Sequence, residues 1–364
     1  MKILKLSLIK IRQIVKLLHQ TYSSFSRRMF PTTIVFLILM LFISGCKKNQ
    51  TTKPVVIIPP PTNIIKDFTI AVLPDIQNYM SGYFGGKEAM FTSQIEWIRN
   101  NKKDQNIVYV IGLGDITEHG DDVPVEWVKA KNGFYALETD SIPYGLAIGN
   151  HDQKPFGGHI LSVTTNQYNQ YFGVSHFAGR TYYGGHYGSN NNSHYDLFTA
   201  GSKDFIVIYI EYDEFNEENV NLNNWADDLL VTYATRKAIV VSHYLIGIGE
   251  PASFGTQGLS IYNRLKSRPN VFMFLCGHIY GADNSGEGYC EDTYNGNTIR
   301  TYLSDYQQRQ EGGVNKGGNG YMRLMKFSVY KNDVTIKTFS PYVNQYETDS
   351  NSQFIKPLFS STQM

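Results

Sequence analysis

Cysteine is nearly absent from this chain, with three in 364 residues. That is too few for a fold held by a disulfide framework, and it leaves room for one internal pair at most, Cys276 with Cys290, if Cys46 is used elsewhere. No apolar run is long enough for a comfortable membrane span; the one near the N-terminus extends only from Ile34 to Ile43. Internal repeats are missing, which argues against a repeat array. Net charge is also nearly absent, at +1 for the whole chain, but its distribution is uneven. Residues 1–45 hold seven of the 33 Lys and Arg and no acid, so residues 46–364 carry 26 basic against 32 acidic side chains. A mildly acidic surface supplies no general pull on nucleic acid, and sequence-specific DNA recognition is not expected.

The N-terminal segment reads as a targeting signal. Arg27-Arg28 precede the apolar run, which ends in Ile43-Ser44-Gly45-Cys46 with a small residue just before the cysteine. The pattern resembles a bacterial lipoprotein signal. That implies cleavage before Cys46, membrane attachment through a lipid on that residue, and an exported place in the cell envelope, at the outer membrane or cell surface rather than the inner membrane. An uncleaved anchor helix is the other reading, and a start at Met29 rather than Met1 stays open because the basic region is long for a signal. Residues 46–65, rich in Lys, Thr, Asn and Pro and containing Pro59-Pro60-Pro61, read as an extended tether that buries no core. Residues 66–346 read as one globular, monomeric domain, and residues 347–364 as a polar tail.

Within the domain, apolar strand-like runs alternate with helical periodicity. Strands are expected from Phe68 to Leu73, Ile107 to Leu113, Tyr144 to Ile148, Phe205 to Ile210, Ala238 to Val241 and Val271 to Cys276. Helices are expected from Lys87 to Lys103, Val123 to Leu137, Leu222 to Tyr233 and Leu259 to Lys266. Wholly apolar strands between helices argue for an α/β fold whose strands are buried on both faces. Thr298 to Leu303, Tyr321 to Val329 and Val334 to Phe339 look like consecutive strands, with a turn at Lys331-Asn332-Asp333. Gln153 to Ser193, rich in Gly, Asn and Tyr and without periodicity, reads as an irregular insertion at the rim of the active site.

Five polar clusters fall where apolar runs stop: Asp75-Ile76-Gln77, Gly114-Asp115, Gly149-Asn150-His151-Asp152, Ser242-His243 and Gly277-His278-Ile279-Tyr280. In open α/β sheets ligands collect beyond the carboxyl ends of strands. A single Asp after a strand is usually a cap or a turn residue. Five clusters mixing carboxylate, amide and imidazole are instead a set able to hold two cations side by side, which suits phosphate ester cleavage.

Read in order, these clusters resemble the calcineurin-like metallophosphoesterases, whose pattern is D-x-H, G-D, G-N-H-[DE], a lone His after a strand, and G-H-x-H. The resemblance spans roughly Phe68 to Tyr280, and G-N-H-D is its most specific piece. It implies a four-layer α-β-β-α sandwich of two mixed sheets flanked by helices. It implies two divalent or mixed-valence metal ions, Mn, Fe or Zn, with Asp75 and Gln77 on the first, Asp115 bridging, and Asn150, His243 and His278 on the second. It also implies a metal-bridging hydroxide as nucleophile toward a phosphomonoester or phosphodiester, His151 near the leaving oxygen, and Asp152 orienting the His151 ring. Two positions depart from the pattern, Gln77 for the first His and Tyr280 for the last, and both fall on the first metal. Either the first site takes a hard ion such as Fe(III) with Tyr280 as a phenolate ligand, or it binds its ion loosely, or Tyr280 merely packs nearby. The rival reading is a non-catalytic phosphate- or glycan-binding lipoprotein with a degraded first site.

Other polar residues are expected to matter less. His119 follows Asp115 closely but reads first as a solvated loop residue, and His159, His176, His186 and His194 read as surface residues of the insertion. Tyr168, Tyr171, Tyr182 and Tyr183 either line the substrate mouth or pack among themselves. Ser304-Asp305-Tyr306-Gln307 and Gly317-Gly318-Asn319-Gly320 resemble a segment of some secreted metallophosphoesterases and are given no role beyond shaping the pocket.

Overall fold

The computed structural model describes residues 66–364 apart from 159, 214, 216–217, 282–285 and 312. The signal, Cys46, the tether and His159 therefore lie outside the described residues. Among the described residues no helix is long and apolar enough to cross a membrane.

In the first sheet β1 (Phe68–Leu73), β2 (Ile107–Gly112) and β3 (Tyr144–Leu146) run parallel. Strand β13 (Met322–Ser328) pairs antiparallel with the free edge of β1, and β14 (Asp333–Ser340) follows it through a turn in which Asn332 takes φ 56°. Strands β15 (Gln345–Glu347) and β16 (Gln353–Pro357) both pair with β14.

The second sheet has the order β4 (Tyr183–His186), β5 (His194–Ala200), β6 (Lys203–Ile210), β7 (Lys237–Ser242), β8 (Val271–Cys276), β10 (Asn297–Ser304), β9 (Glu287–Tyr294). Within it β6, β7, β8 and β10 are parallel. A short ribbon of β11 (Gln310–Glu311) and β12 (Val314–Asn315) stands apart.

Apolar runs without alternation arise because each central strand is covered twice. In β1 the pleat sends Phe68, Ile70 and Val72 into the core between the sheets and Ala71 and Leu73 toward helices. In β7 it sends Ile239 and Val241 inward and Ala238 and Val240 outward. The outer face of the first sheet packs on α2 (Glu88–Asn101) and α3 (Pro124–Thr139), through Phe91, Ile95, Trp127 and Phe134. Short α1 (Gln77–Ser81), α4 (Asn166–Phe172) and α5 (Val174–Phe177) add Tyr79, Tyr168, Phe172 and Phe177 to the same core. The outer face of the second sheet packs on α6 (Asn219–Thr232) and α7 (Thr256–Leu265), through Leu222, Ala226, Leu230, Ile261 and Leu265. The fold is thus the four-layer α-β-β-α sandwich of two mixed sheets.

Several sequence expectations change. The polar tail is no tail: β16 extends the first sheet, and Leu358 and Phe359 enter the core between the sheets. The residues of β16, Gln-Phe-Ile-Lys-Pro, neither alternate nor form an apolar run, and its side chains are at least partly exposed, so the strand left no signal. The C-terminal strands are divided between the sheets: β10 joins the second beside β8, while β13 and β14 form a hairpin in the first, with the expected turn between them. The insertion contains α4, α5 and β4, and His194 is buried in β5 with its ring stacked on Tyr209 at 4.4 Å, not at the surface. Cys276 and Cys290 are both free and buried. Strand β10 separates them, with Cys276 opposite Leu303 and Cys290 opposite Thr301. Two strand spacings, about 9–10 Å, exceed the Cα separation of about 7 Å that a disulfide tolerates.

Candidate functional site

Because β1, β2 and β3 are parallel in one sheet and β6, β7, β8 and β10 in the other, each sheet sends a row of carboxyl ends to one edge. Hydrogen bonds join the two rows there. The Nδ1–H of His243, after β7, donates to the carbonyl of Leu113, after β2, at 2.8 Å. A carbonyl only accepts, so this bond fixes the tautomer and turns Nε2 inward. Nε2 then lies 3.1 Å from Asn150 Oδ1, 3.2 Å from Asp115 Oδ1 and 3.8 Å from Asp75 Oδ2. His278 Nδ1 reaches the same Asn150 Oδ1 at 2.9 Å. Asp115, His243 and His278 each offer one ligand atom within 4.8 Å of the others. The residues expected on the second metal are thus brought together, and their oxygen and imidazole donors suit a borderline divalent cation.

The glycines of the motifs are close-approach positions. A Cβ on Gly149 would stand 2.1 Å from Asp115 Oδ1, and one on Gly277 would stand 2.0 Å from Asp75 Oδ1. Asp115 itself takes φ 48°, a left-handed conformation that costs a non-glycine residue about 1–3 kcal/mol. Its carboxylate offsets part of that cost, with Oδ1 accepting the His151 main-chain N–H at 2.9 Å.

Around the first site the picture is mixed. Asp75 Oδ2 accepts the His278 N–H at 3.0 Å, whereas Oδ1 is fully buried with no partner. Gln77, opening α1, donates through Nε2 to Asp115 Oδ2 at 3.2 Å and to Gln307 Oε1 at 2.7 Å, and its Oε1 is also buried and unpartnered. A buried polar atom left unpaired costs about 1–3 kcal/mol, so two such oxygens beside the Asp115 carboxylate fit a hard cation there. Tyr280 does not join them. The Ile279 N–H bonds the Gly277 carbonyl at 3.0 Å with His278 at φ 79°, a tight three-residue turn, and Tyr280 beyond it is 47% exposed. Of the readings open for Tyr280, this exposed placement supports packing beside the centre rather than a phenolate ligand within it.

A sixth strand end contributes where sequence reasoning gave no role. Asp305 and Gln307 follow β10, which is parallel to β8, and both are buried beside Gln77. The strand-end rule that picked out the other clusters applied equally to Ser304-Asp305.

The expected pairing of Asp152 with His151 is not made. Asp152 Oδ1 accepts the N–H groups of Ile116 and Thr117 at 2.9 and 3.0 Å, and Oδ2 accepts that of Gly149 at 2.9 Å. It ties the loop after β2 to the loop after β3, since three main-chain donors outcompete one ring for a buried carboxylate. The group facing His151 Nδ1 is Glu118, through its carbonyl at 3.1 Å and its Oε1 at 3.4 Å. Asp152→Ala should accordingly cost about 3 kcal/mol or more of unfolding free energy by leaving buried N–H groups unpaired. Denaturant unfolding of the variant checks this; unchanged stability with a slower reaction would return Asp152 to His151.

Charge at the site is unbalanced. Burial pushes Asp75 well above the usual carboxylate range, and Asp305 adds to the shift. Asp115 moves the other way, to about 2: burial opposes this, but His243 and His151 outweigh it. Burial would likewise lower His243, yet Asp115 and Asp75 lift it to about 10. His278 falls to about 4 through burial and the neighbouring His243. Burial raises Asp305 to about 6, against hydrogen bonds from Gln307 that favour its charged form. The centre thus packs three acidic side chains, Asp75, Asp115 and Asp305, around His243, and an added cation would offset the burial that disfavours their charge.

The remaining candidates have structural partners. His119 Nδ1 meets Glu126 Oε1 at 2.7 Å, His176 Nε2 meets Glu138 Oε1 at 2.8 Å, and Tyr168 is buried with its hydroxyl donating to the Leu146 carbonyl. Phe156 packs edge-on against His151 with ring centroids 4.2 Å apart.

A family model described as calcineurin-like phosphoesterase matches residues 68–281. The uncharacterised protein YvnB of Bacillus subtilis (strain 168) is 32% identical over 305 residues, which cover 80% of this chain and 21% of that protein. The chain thus spans about a fifth of that relative's length. Among solved structures, GAP50, the anchor in the inner membrane complex of Plasmodium, is 14% identical with a TM-score of 0.48, over 81% of this chain and 89% of that one. A dimetal phosphatase from Danio rerio is 14% identical with a TM-score of 0.47, over 80% and 99%.

Proposed function

The chain belongs to the calcineurin-like phosphoesterase family, and from that membership we propose that it hydrolyses a phosphate monoester or diester at the strand-end centre, using two cations. The observation that carries the proposal is the convergence of Asp115, Asn150, His243 and His278 on one point, with His151 Nε2 3.9 Å from Asp115 Oδ2. Asp75, Asp115 and Gln77 would hold the first cation, and Asp115, Asn150, His243 and His278 the second. Bound there, the cations supply Lewis-acid stabilisation of the phosphoryl oxygens and a nucleophile at neutral pH.

The chain's own groups do the rest. Asp115 holds both halves of the centre in one frame through its contacts with Gln77, His151 and His243. His151, outside the buried ligand set, offers Nε2 to the leaving oxygen, since Nδ1–H is taken by the Glu118 carbonyl. Phe156 shields that ring from water on one side.

The test is hydrolysis of 4-nitrophenyl phosphate and bis(4-nitrophenyl) phosphate by the full chain, stripped with chelator and resupplied with Mn, Fe or Zn. Metal-dependent release of nitrophenol from at least one ester is expected. Tight metal binding without turnover of either ester would favour a binding protein instead.

A further inference from the structure

Gln77 stands where the family pattern has an imidazole. Its amide has two ends of similar shape and opposite polarity, and only the oxygen end can serve a cation. The neighbours decide which end that is. Asp305, at the carboxyl end of β10, accepts with both oxygens: Oδ1 from the Gln307 main-chain N–H and Oδ2 from Gln307 Nε2, each at 3.0 Å. A carboxylate donates nothing, so Gln307 turns its NH2 to Asp305 and its Oε1 to Gln77. That Oε1 only accepts, so Gln77 turns its own NH2 to it, at 2.7 Å, and gives the second proton to Asp115 Oδ2 at 3.2 Å. Asn78 Nδ2 donates to the Gln307 carbonyl at 3.0 Å and pins the arrangement to α1. What remains is Gln77 Oε1, buried and without a donor.

We propose that Asp305 and Gln307 form a polarity relay that fixes Gln77 with its oxygen free as a neutral ligand of the first cation. They compensate for the two histidines this chain lacks, Gln77 and Tyr280 standing in their places. The proposal rests on the two-cation reading above. Both are positioning residues; neither touches the reacting atoms.

The experiment titrates the full chain, stripped with chelator, with Mn. Bound metal is counted by mass spectrometry, and exchange coupling between the ions is read by electron paramagnetic resonance. Wild type should bind two coupled ions. In Asp305→Asn, residue 305 can present either polarity, so the amides of Gln307 and Gln77 are free to flip. The first ion should then bind about 10- to 100-fold more weakly, the range for loss of an outer partner of a metal ligand, with the second unchanged. Gln307→Leu should do the same.

The decisive variant is the double Asp305→Asn, Gln307→Glu. The new carboxylate at 307 accepts from residue 305 and from Gln77 alike, so the oxygen of Gln77 is freed again and the second coupled ion should return. Wild-type affinity in both single variants, no recovery in a double variant that melts like wild type, or a single Mn in wild type would each overturn the relay. Hydrolysis separates the two failures: a wild type that still turns over 4-nitrophenyl phosphate keeps the phosphoesterase reading, and one that neither binds Mn nor hydrolyses loses both.

Discussion

Asp115→Asn is expected to lower kcat on 4-nitrophenyl phosphate by about three orders of magnitude. The size follows from what the residue holds: cations at such a centre stabilise the transition state by several kcal/mol, and each ~1.4 kcal/mol is a factor of ten. The substitution keeps the volume but removes the charge that faces His243 Nε2 at 3.2 Å. It also sets an NH2 against Gln77 Nε2, which now donates to Asp115 Oδ2 at 3.2 Å, or else breaks the His151 N–H bond at 2.9 Å if the amide turns over. Either orientation leaves one buried group unpaired. Low pH cannot imitate the variant above about pH 3, because His243 and His151, working against burial, hold the Asp115 carboxyl at about 2. The measurement is kcat with metal content on the same sample. Activity within tenfold of wild type, at full metal occupancy, would remove Asp115 from the centre.

The architecture was legible where both faces of a strand are buried. β8 is a continuous apolar run, and β1 and β7 are nearly so, broken only by Thr69 and by the terminal Lys237 and Ser242; a run of that length between helical periods has few other readings. Strands β4, β5, β9 and β16 were missed because their outward faces or ends carry His, Asp, Glu, Lys and Gln, which erases the contrast with loops. Helix α1 was missed because it is a single short turn of Gln77 to Ser81 with no acidic residue in its first turn to mark it.

The centre was legible in the side chains that converge there and not in the groups that support them. Asp115, Asn150, His243 and His278 sit at strand ends, where sequence spacing and chemistry coincide. Glu118, Asp305 and Gln307 act through partners far away in sequence, such as His151 with Glu118 and Gln77 with Gln307, and no local spacing encodes those contacts. Asp152 was assigned to its sequence neighbour, His151, whereas its partners are main-chain donors that leave no mark in a sequence. The place of Tyr280 stayed open for a related reason: the turn set by His278 at φ 79° is a backbone event, invisible in the motif it interrupts.

The second large effect separates proton donation from cation binding. His151→Ala should leave metal content at the wild-type value, since among the described residues no expected ligand hydrogen-bonds its ring: Nδ1 faces Glu118, and Nε2 is 3.9 Å from Asp115 Oδ2. Its cost should depend on the leaving group. An alkoxide departs poorly without a proton, and a positioned general acid contributes about 10²–10⁴ in rate. Nitrophenolate departs well unaided. The variant is therefore expected to lose about 10²–10⁴ in kcat on an alkyl phosphate and no more than about tenfold on 4-nitrophenyl phosphate. Glu118→Gln, which keeps the carbonyl contact at 3.1 Å and removes the charge 3.4 Å from Nδ1, should fall between wild type and His151→Ala on the alkyl ester. Equal losses on both esters would mean that His151 stabilises the phosphoryl group rather than the departing oxygen, because charge on the phosphoryl oxygens is common to the two reactions and the leaving group is the only difference between them.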